Sequence, residues 1–365
     1  MSRDAWSWGV ARSSRPILVG PWRSEVGFEV LYWLPYLEAW LAQMDRATVR
    51  RQIAWRRWRC QGLTAANLTE LEQQARAALC ERLVILTRGG AGAWYPEGSR
   101  AVDLYDYASL AEYRVATLAD QQATGSVKQT TVTPWDRALL RMVEVRHGLR
   151  GAHLLHPSQM YRHLSPWWET SVMGLSQVVS RLRFAPFRVP TVPVSVTATL
   201  PPRFTVARFY GRHTWPVTEE TRDWMTALVG AVAAQTPVVV LGSAELIDDH
   251  LSVGFDGPNI TNLIGAFPAR ESLAIESAIV ARASGFIGTY GGIQQLAVRL
   301  RVPSVGMYGR FAGTSIAHKV LTEWLAVQQQ TACWIGRPQD LAAVCGLAGA
   351  VLPFPIPTRV GGSSS

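Results

Sequence analysis

At 365 residues the chain is too long for one ordinary hydrophobic core and fits two domains. Hydrophobic residues at 48% against 17% charged exclude a disordered chain, and Gln235 and Pro237 interrupt the best candidate for a membrane span. The formal charge of +9 is almost all arginine, with only Lys128 and Lys319 as lysines, and favours acidic partners such as nucleotides, phosphorylated acceptors or an anionic membrane surface.

The first residues, 1–15, are polar with Trp6 and Trp8 and carry no signal-peptide core. A first α/β half is expected over 16–184. It opens with a strand at Pro16–Val19, a turn Gly20-Pro21-Trp22-Arg23 and a helix from Ser24 to Met44, which Pro35 should kink or end. Arg50 to Arg59 is a dense arginine run with Trp55 and Trp58, readable as an anion-docking patch or as an exposed charged strand. A helix over Ala65 to Leu79 leads to a strand at Arg82–Thr87 and the turn Arg88-Gly89-Gly90. Strand, helix, strand in that order predicts a parallel sheet.

His147, His153, His156 and His163 match no metal-ligand spacing and read as loop and turn residues. His156 and Tyr161, in the segment HPSQMY, are candidates for an acceptor-side loop. Ala185–Pro202 carries five prolines and reads as an extended linker that cannot be helical. Cys60, Cys80, Cys333 and Cys345 form neither a CxxC pair nor a disulfide framework, which fits a reducing cytoplasm.

A second α/β half restarts over 203–335, with a strand at Phe204–Arg208, a helix at Glu219–Ala234, a strand at Val238–Gly242 and a helix at Glu271–Ala283. Phe286 to Gly309 then gives a strand end, the turn Gly288-Thr289-Tyr290-Gly291-Gly292, a helix over Ile293–Leu300 and a strand at Ser304–Tyr308. Glycines let the backbone approach a ligand, and amides opening the next helix suit a phosphate. The competing reading is a turn whose glycines serve packing. Arg208 and Arg212 follow the first strand of this half and suit a diphosphate, while Ser243 and Glu245 suit a ribose or base. Asp248-Asp249-His250 is readable as divalent ligands or as a polar loop. A helix in 336–360 is expected to pack back across a cleft between the halves, and 361–365 is a flexible tail.

No GxGxxG follows the first strand, and neither GxxxxGK[ST] nor GxSxG occurs, which argues against dehydrogenase, P-loop and common serine-hydrolase chemistry. Glu25 and Glu29 lie four apart at the start of the first helix, on one face. There the helix dipole favours the ionised form that a general base requires.

Several motifs in order resemble the GT-B glycosyltransferases, and among them the heptosyltransferase-like group. Arg212-His213-Thr214-Trp215-Pro216 is similar to that group's basic-x-Trp-Pro segment, and Val238 to Ser243 with Glu245 to its strand-to-loop element. Asn259 to Gly265 resembles the short strand before the donor loop, whose place Gly288 to Gly292 takes. Gly27 to Pro35 resembles the element carrying the catalytic acid, with Glu29 six residues before the proline. The chain also resembles proteins of bacterial polysaccharide loci that share GPWRSEVGFEV, HPSQMY and GTYGG. Departures are Glu for Asp at 29, no Asp in the donor loop and no Lys in the basic segment.

The resemblance implies two Rossmann-like domains facing each other across a cleft, in a cytoplasmic glycosyltransferase needing no metal or other cofactor. Its donor would be a nucleotide sugar, held by Arg208, Arg212, Ser243, Glu245 and residues 288–292. Glu29 or Glu25 would be the base. Trp22, Arg23, Arg88, Gly89, His156 and Tyr161 would face a glycan or lipid-linked acceptor, with peripheral contact to an anionic membrane a further option and nucleic acid disfavoured. The alternatives are a nucleotide-sugar epimerase on the same fold, or a polyanion-binding protein using Arg50 to Arg59.

Overall fold

The computed structural model describes residues 10, 13–58, 65–125, 128–168, 172–191, 193–212, 215–243, 251–309, 313–338 and 341–353. The chain forms two compact units. One gathers the residues up to Ser24, Tyr32–Trp167 and Ser176–Arg188. The other gathers Glu25–Leu31, Trp168–Leu175 and the chain from Val189.

Among the described residues the first unit is built on four parallel strands, β1 (Ile17–Val19), β2 (Leu83–Thr87), β3 (Arg100–Asp103) and β4 (His153–Leu155), in the order β3-β2-β1-β4. β1 and β2 are buried along their whole length, as expected for apolar strands covered on both faces. Leu18, Val84, Leu86 and Val102 pack under Tyr113, Leu139, Leu140 and Val143 of two helices, Leu110–Thr124 and Pro134–Arg146. Each helix starts on a capping box, Ser109 with Glu112 and Thr133 with Asp136, and Pro134 sits at the first turn of the second.

Past β1 the backbone turns at Gly20, whose φ is +106°. A β-carbon there would lie 2.5 Å from the Leu86 carbonyl oxygen, so no other residue fits. The expected helix from Ser24 to Met44 instead runs to Trp58, as one α turn (Val26–Phe28), a π turn (Glu29–Trp33) and the helix Leu34–Trp58. Pro35 has no N–H for an i→i−4 bond, and the wider π turn just before it absorbs that loss without ending the helix. The strand reading of Arg50 to Arg59 fails for the same stretch: it is helical through Trp58. Its side chains at 51–52 and 54–58, and Arg59, lie outside the described residues.

Among the described residues the second unit holds six parallel strands, β5 (Thr205–Gly211), β6 (Val238–Val240), β8 (Ile260–Asn262), β9 (Gly285–Thr289), β10 (Ser304–Met307) and β11 (Cys333–Gly336), in the order β11-β10-β9-β5-β6-β8. β7 (Leu251–Val253) pairs antiparallel with the far end of β5. Met225, Leu228, Val229 and Val232 of the helix Glu219–Ala233 cover Ala207, Val238, Val240 and Ile287.

The helix Leu341–Val351 packs into this same core through Val344, Cys345 and Ala348. One expectation is corrected here. The proline-rich stretch 185–202 is divided between the units after Arg188 and contains a helical turn, Val194–Thr197, which Pro193 precedes and so does not interrupt.

Candidate functional site

β5 and β9 lie side by side in the second unit, with Arg208 opposite Gly288. A β-carbon on Gly288 would fall 2.0 Å from the Arg208 carbonyl oxygen, so glycine is what allows the two strands to approach. Thr289 then locks the strand ends: its hydroxyl accepts from the Tyr210 N–H (3.0 Å) and donates to the Tyr210 carbonyl (3.2 Å). The Tyr290 N–H donates to the Met307 carbonyl (2.7 Å), and its ring is buried with the hydroxyl accepting from Gln295 Nε2 (3.2 Å). Burial pushes the Tyr290 phenol well above its ordinary pKa.

Gly288, Thr289 and Tyr290 are thus interior, while Gly291 and Gly292 are part-exposed and open the helix Gly292–Arg299. The first backbone bond of that helix runs from the Gln295 N–H to the Gly291 carbonyl (3.0 Å). The amides of Gly292, Ile293 and Gln294 precede it and face the turn, as at any helix N-terminus.

The segment Glu25–Leu31 belongs to this second unit and sits on the turn. A β-carbon on Gly27 would lie 2.0 Å from Gln295 Oε1 and 3.3 Å from the Gly292 Cα, and one on Gly292 would lie 2.8 Å from the Gly27 nitrogen. Phe28 meets the His318 ring edge-on at 4.6 Å. The Glu29 amide donates to the Glu25 carbonyl (3.2 Å), so the two carboxylates stand one turn apart. Glu29 is 0% exposed. Glu25 is part-exposed, at the N-cap position of the first turn.

Arg208 and Tyr210 alternate along β5 and so share one face of it, and Arg212 follows just past its end. Burial raises the Tyr210 pKa, Arg212 and Arg208 oppose the rise, and the Glu25 charge adds to it. Arg208 is ion-paired with Glu276, a buried residue of the helix Ser272–Arg282. Its charge is therefore largely met within the unit. The Arg212 Nε is buried without a partner among the described residues. Ser243 is part-exposed just beyond β6, whereas Glu245, His213 and Asp248-Asp249-His250 lie outside the described residues.

In the first unit the residues expected to face an acceptor are interior. Trp22 stacks on Trp33 at 5.8 Å, Arg88 donates to the Ser24 carbonyl, and Gly89 and Tyr161 are buried. Arg23 is buried beneath Trp135 and pairs with Asp136 (2.9 Å) and Asp120 (2.5 Å). His156 Nε2 lies 3.3 Å from Asp136 Oδ2, and its Nδ1 accepts from the Ser158 N–H (3.1 Å). Burial pushes the Asp136 carboxyl up. The His156 imidazole beside it, the Arg23 charge and the Thr133 amide more than offset this and hold it below the usual carboxylate range. The expectation of loop and turn histidines is corrected for His153, which is in β4, and His163, which is helical, while His147 lies in the turn that ends a helix and His156 in the loop after β4. Among the described residues no three His, Cys, Asp or Glu side chains group as metal ligands.

No protein-family model matches the chain, and no curated protein does. Among solved structures it is similar to a glycosyl transferase family 9 protein from Veillonella parvula, at 11% identity and a TM-score of 0.40 over 93% of this chain and 90% of that one. It is also similar to E. coli heptosyltransferase WaaC with ADP, at 14% identity and a TM-score of 0.34 over 92% of this chain and 99% of that one. A third similar structure is E. coli ADP-heptose lps heptosyltransferase II, at 12% identity and a TM-score of 0.39 over 87% of this chain and all (100%) of that one. At these identities and TM-scores the likeness is loose, and the chemistry has to come from the chain's own residues.

Those residues bring together helix-opening amides, a cationic Arg212 and a part-exposed carboxylate within one unit. The sequence reading missed Tyr210, Glu276, Gln295 and Asp136. Tyr210 was within reach, since it alternates with Arg208 and Arg212. Asp136 was too, because Thr133-Pro134-Trp135-Asp136 has capping-box spacing. Glu276 and Gln295 sit on apolar helices whose sequence carries no sign of a partner.

Proposed function

We propose that the chain is a glycosyltransferase that moves a sugar from a nucleotide-sugar donor to an acceptor hydroxyl, in bacterial polysaccharide or glycoconjugate synthesis. The observation that carries this reading is the seating of the two-carboxylate segment Glu25–Leu31 on the glycine turn of the second unit. Parallel α/β sheets bind ligands beyond the carboxyl ends of their strands, and a helix N-terminus there suits a diphosphate.

In the proposed reaction the acceptor oxygen attacks the anomeric carbon of the donor sugar, and the bond from that carbon to the diphosphate breaks. The acceptor proton goes to a carboxylate of the segment. The charge gathering on the departing nucleoside diphosphate meets the amides of Gly292, Ile293 and Gln294 and the Arg212 guanidinium. Glu25 is the carboxylate that a substrate can reach, and we assign it the base. Glu29 holds the place of the acid in the motif, and its full burial means that it can take the role only if the segment shifts.

The test is calorimetry with UDP, GDP, ADP and CMP sugars, followed by product analysis with and without acceptor saccharides. Binding of one nucleotide class and acceptor-dependent release of its nucleotide are expected, a diphosphate for the UDP, GDP or ADP sugars that the proposed reaction favours. Absence of binding to every class would end the reading, and conversion of the donor without acceptor would make the protein an epimerase.

A further inference from the structure

Two helices of the first unit share a surface that the transfer reaction does not use. Leu110–Thr124 and Pro134–Arg146 both bury one face on the core under β1, β2 and β3, and Arg23 ties them together through Asp120 and Asp136. Tyr113 and Trp135 meet edge-on between them at 6.4 Å. Their opposite faces are turned to solvent.

Those faces are unusually apolar for exposed helices. Val115 is 68% exposed, Leu118 51%, Met142 47% and Val145 75%, and Ala111, Ala119 and Ala138 are exposed beside them. Four of the ten large apolar side chains exposed among the described residues therefore fall on this one pair of helices.

The charges around them are mostly positive. Arg137, Arg141 and Arg146 are exposed along the second helix and Arg150 just beyond it. Against these arginines stand the exposed Asp106 and Glu112 and the half-buried Glu144, while Asp120 and Asp136 hold Arg23. Arg146 lies over the Tyr107 ring at 5.2 Å.

We propose that this face docks the protein on an anionic lipid surface. Val115, Leu118, Met142 and Val145 enter the boundary between headgroups and acyl chains, while the long arginine side chains reach the lipid phosphates. The composition selects this occupant over others. A second copy docking by the same face would set arginines against arginines. Nucleic acid would leave the aliphatic side chains without a partner. No described helix is long and apolar enough to cross a membrane, so the contact is peripheral.

The experiment is co-sedimentation of the full chain with phosphatidylcholine vesicles, with and without phosphatidylglycerol, at low and high salt. Binding only to the phosphatidylglycerol vesicles, weakened by salt, is expected. Replacing Val115, Leu118, Met142 and Val145 by Ser, or Arg137, Arg141, Arg146 and Arg150 by Gln, should each lower the vesicle affinity about tenfold or more. A control with Arg203, Arg222, Arg282 and Arg301 changed to Gln removes the same charge from the second unit and should leave binding unchanged.

All eight target positions are exposed, and circular dichroism checks that each variant is folded. Equal loss in the control, or no vesicle binding, overturns the proposal. So does an arginine-dependent association with soluble polyglutamate that vesicles do not reproduce, or a dimer that the serine variant abolishes.

Discussion

The Tyr210 hydroxyl occupies the place that a side chain on Gly291 would need. An ideal β-carbon there falls 1.9 Å from Tyr210 Oη and 3.2 Å from its Cζ, while the same hydroxyl donates to the Tyr290 carbonyl at 3.3 Å. The turn is therefore clamped from β5 by one phenol. Gly291→Ala should displace it, at a cost of about 1–3 kcal/mol in stability and with weaker binding of the nucleotide. Tyr210→Phe alone loses a hydrogen bond worth about 1 kcal/mol. The double variant should recover part of the alanine cost, since removing the hydroxyl removes the worst contact. Thermal melts and nucleotide calorimetry on the four proteins check this. Strict additivity would show that the phenol does not set the turn.

Glu25→Gln should lower kcat by about 10²–10⁴ with donor affinity nearly unchanged, as expected when a positioned base is lost. Glu29→Gln changes a fully buried side chain and should lower thermal stability before it changes chemistry. The measurement is kcat, KM and melting temperature for each variant. A folded, inactive Glu29→Gln beside an active Glu25→Gln would move the base to Glu29 and show that substrate opens the segment.

Much of the fold was legible because its signals are local. Apolar runs such as Leu83–Thr87 and Val238–Val240, followed by glycine or proline punctuation, mark buried parallel strands whatever surrounds them. The packing of Gly27 against Gly292 and Gln295 was not legible, since it joins segments more than two hundred positions apart. The burial of Trp22, Arg23 and His156 was not legible either, since it comes from the partners Trp33 and Asp136 that the fold brings to them. Pro35 misled for a local reason, because a π turn is a rare answer to a proline and the helix continues past it.

Asp136 anchors a buried cation and a helix start together, so its removal should be costly. Asp136→Asn keeps the cap geometry but leaves the buried Arg23 with only Asp120, which predicts a loss of about 3–5 kcal/mol. The carboxyl is held below its ordinary 3.8 in the folded protein. Its stabilising contribution is therefore complete above that value and is lost as the pH falls below it. Urea melts at about pH 5 and about pH 3 should show the gap between wild type and variant narrowing on acidification. A gap that stays constant would mean that charge is not what the carboxylate supplies.

Asp45 behaves in the opposite sense. Burial on the helix Leu34–Trp58 raises its carboxyl from 3.8 to about 6, against the pull of Arg76 at 3.4 Å. Arg76 is shared with Glu38 at 2.6 Å, and that second carboxylate adds to the rise. With the folded pKa above the unfolded one, the contribution to stability is fully present below 3.8 and is lost as the pH rises through about 6. At neutral pH the ionised Asp45 is therefore a burden, and Asp45→Asn relieves it while Arg76 keeps Glu38. The span from 3.8 to about 6 corresponds to about 3 kcal/mol at most, and a gain of about 1–3 kcal/mol is expected at neutral pH. Melting the two proteins at about pH 7.5 and about pH 4 tests the sign, because the gain should vanish at the lower value. A less stable asparagine variant at neutral pH would mean that the Arg76 pairing outweighs burial.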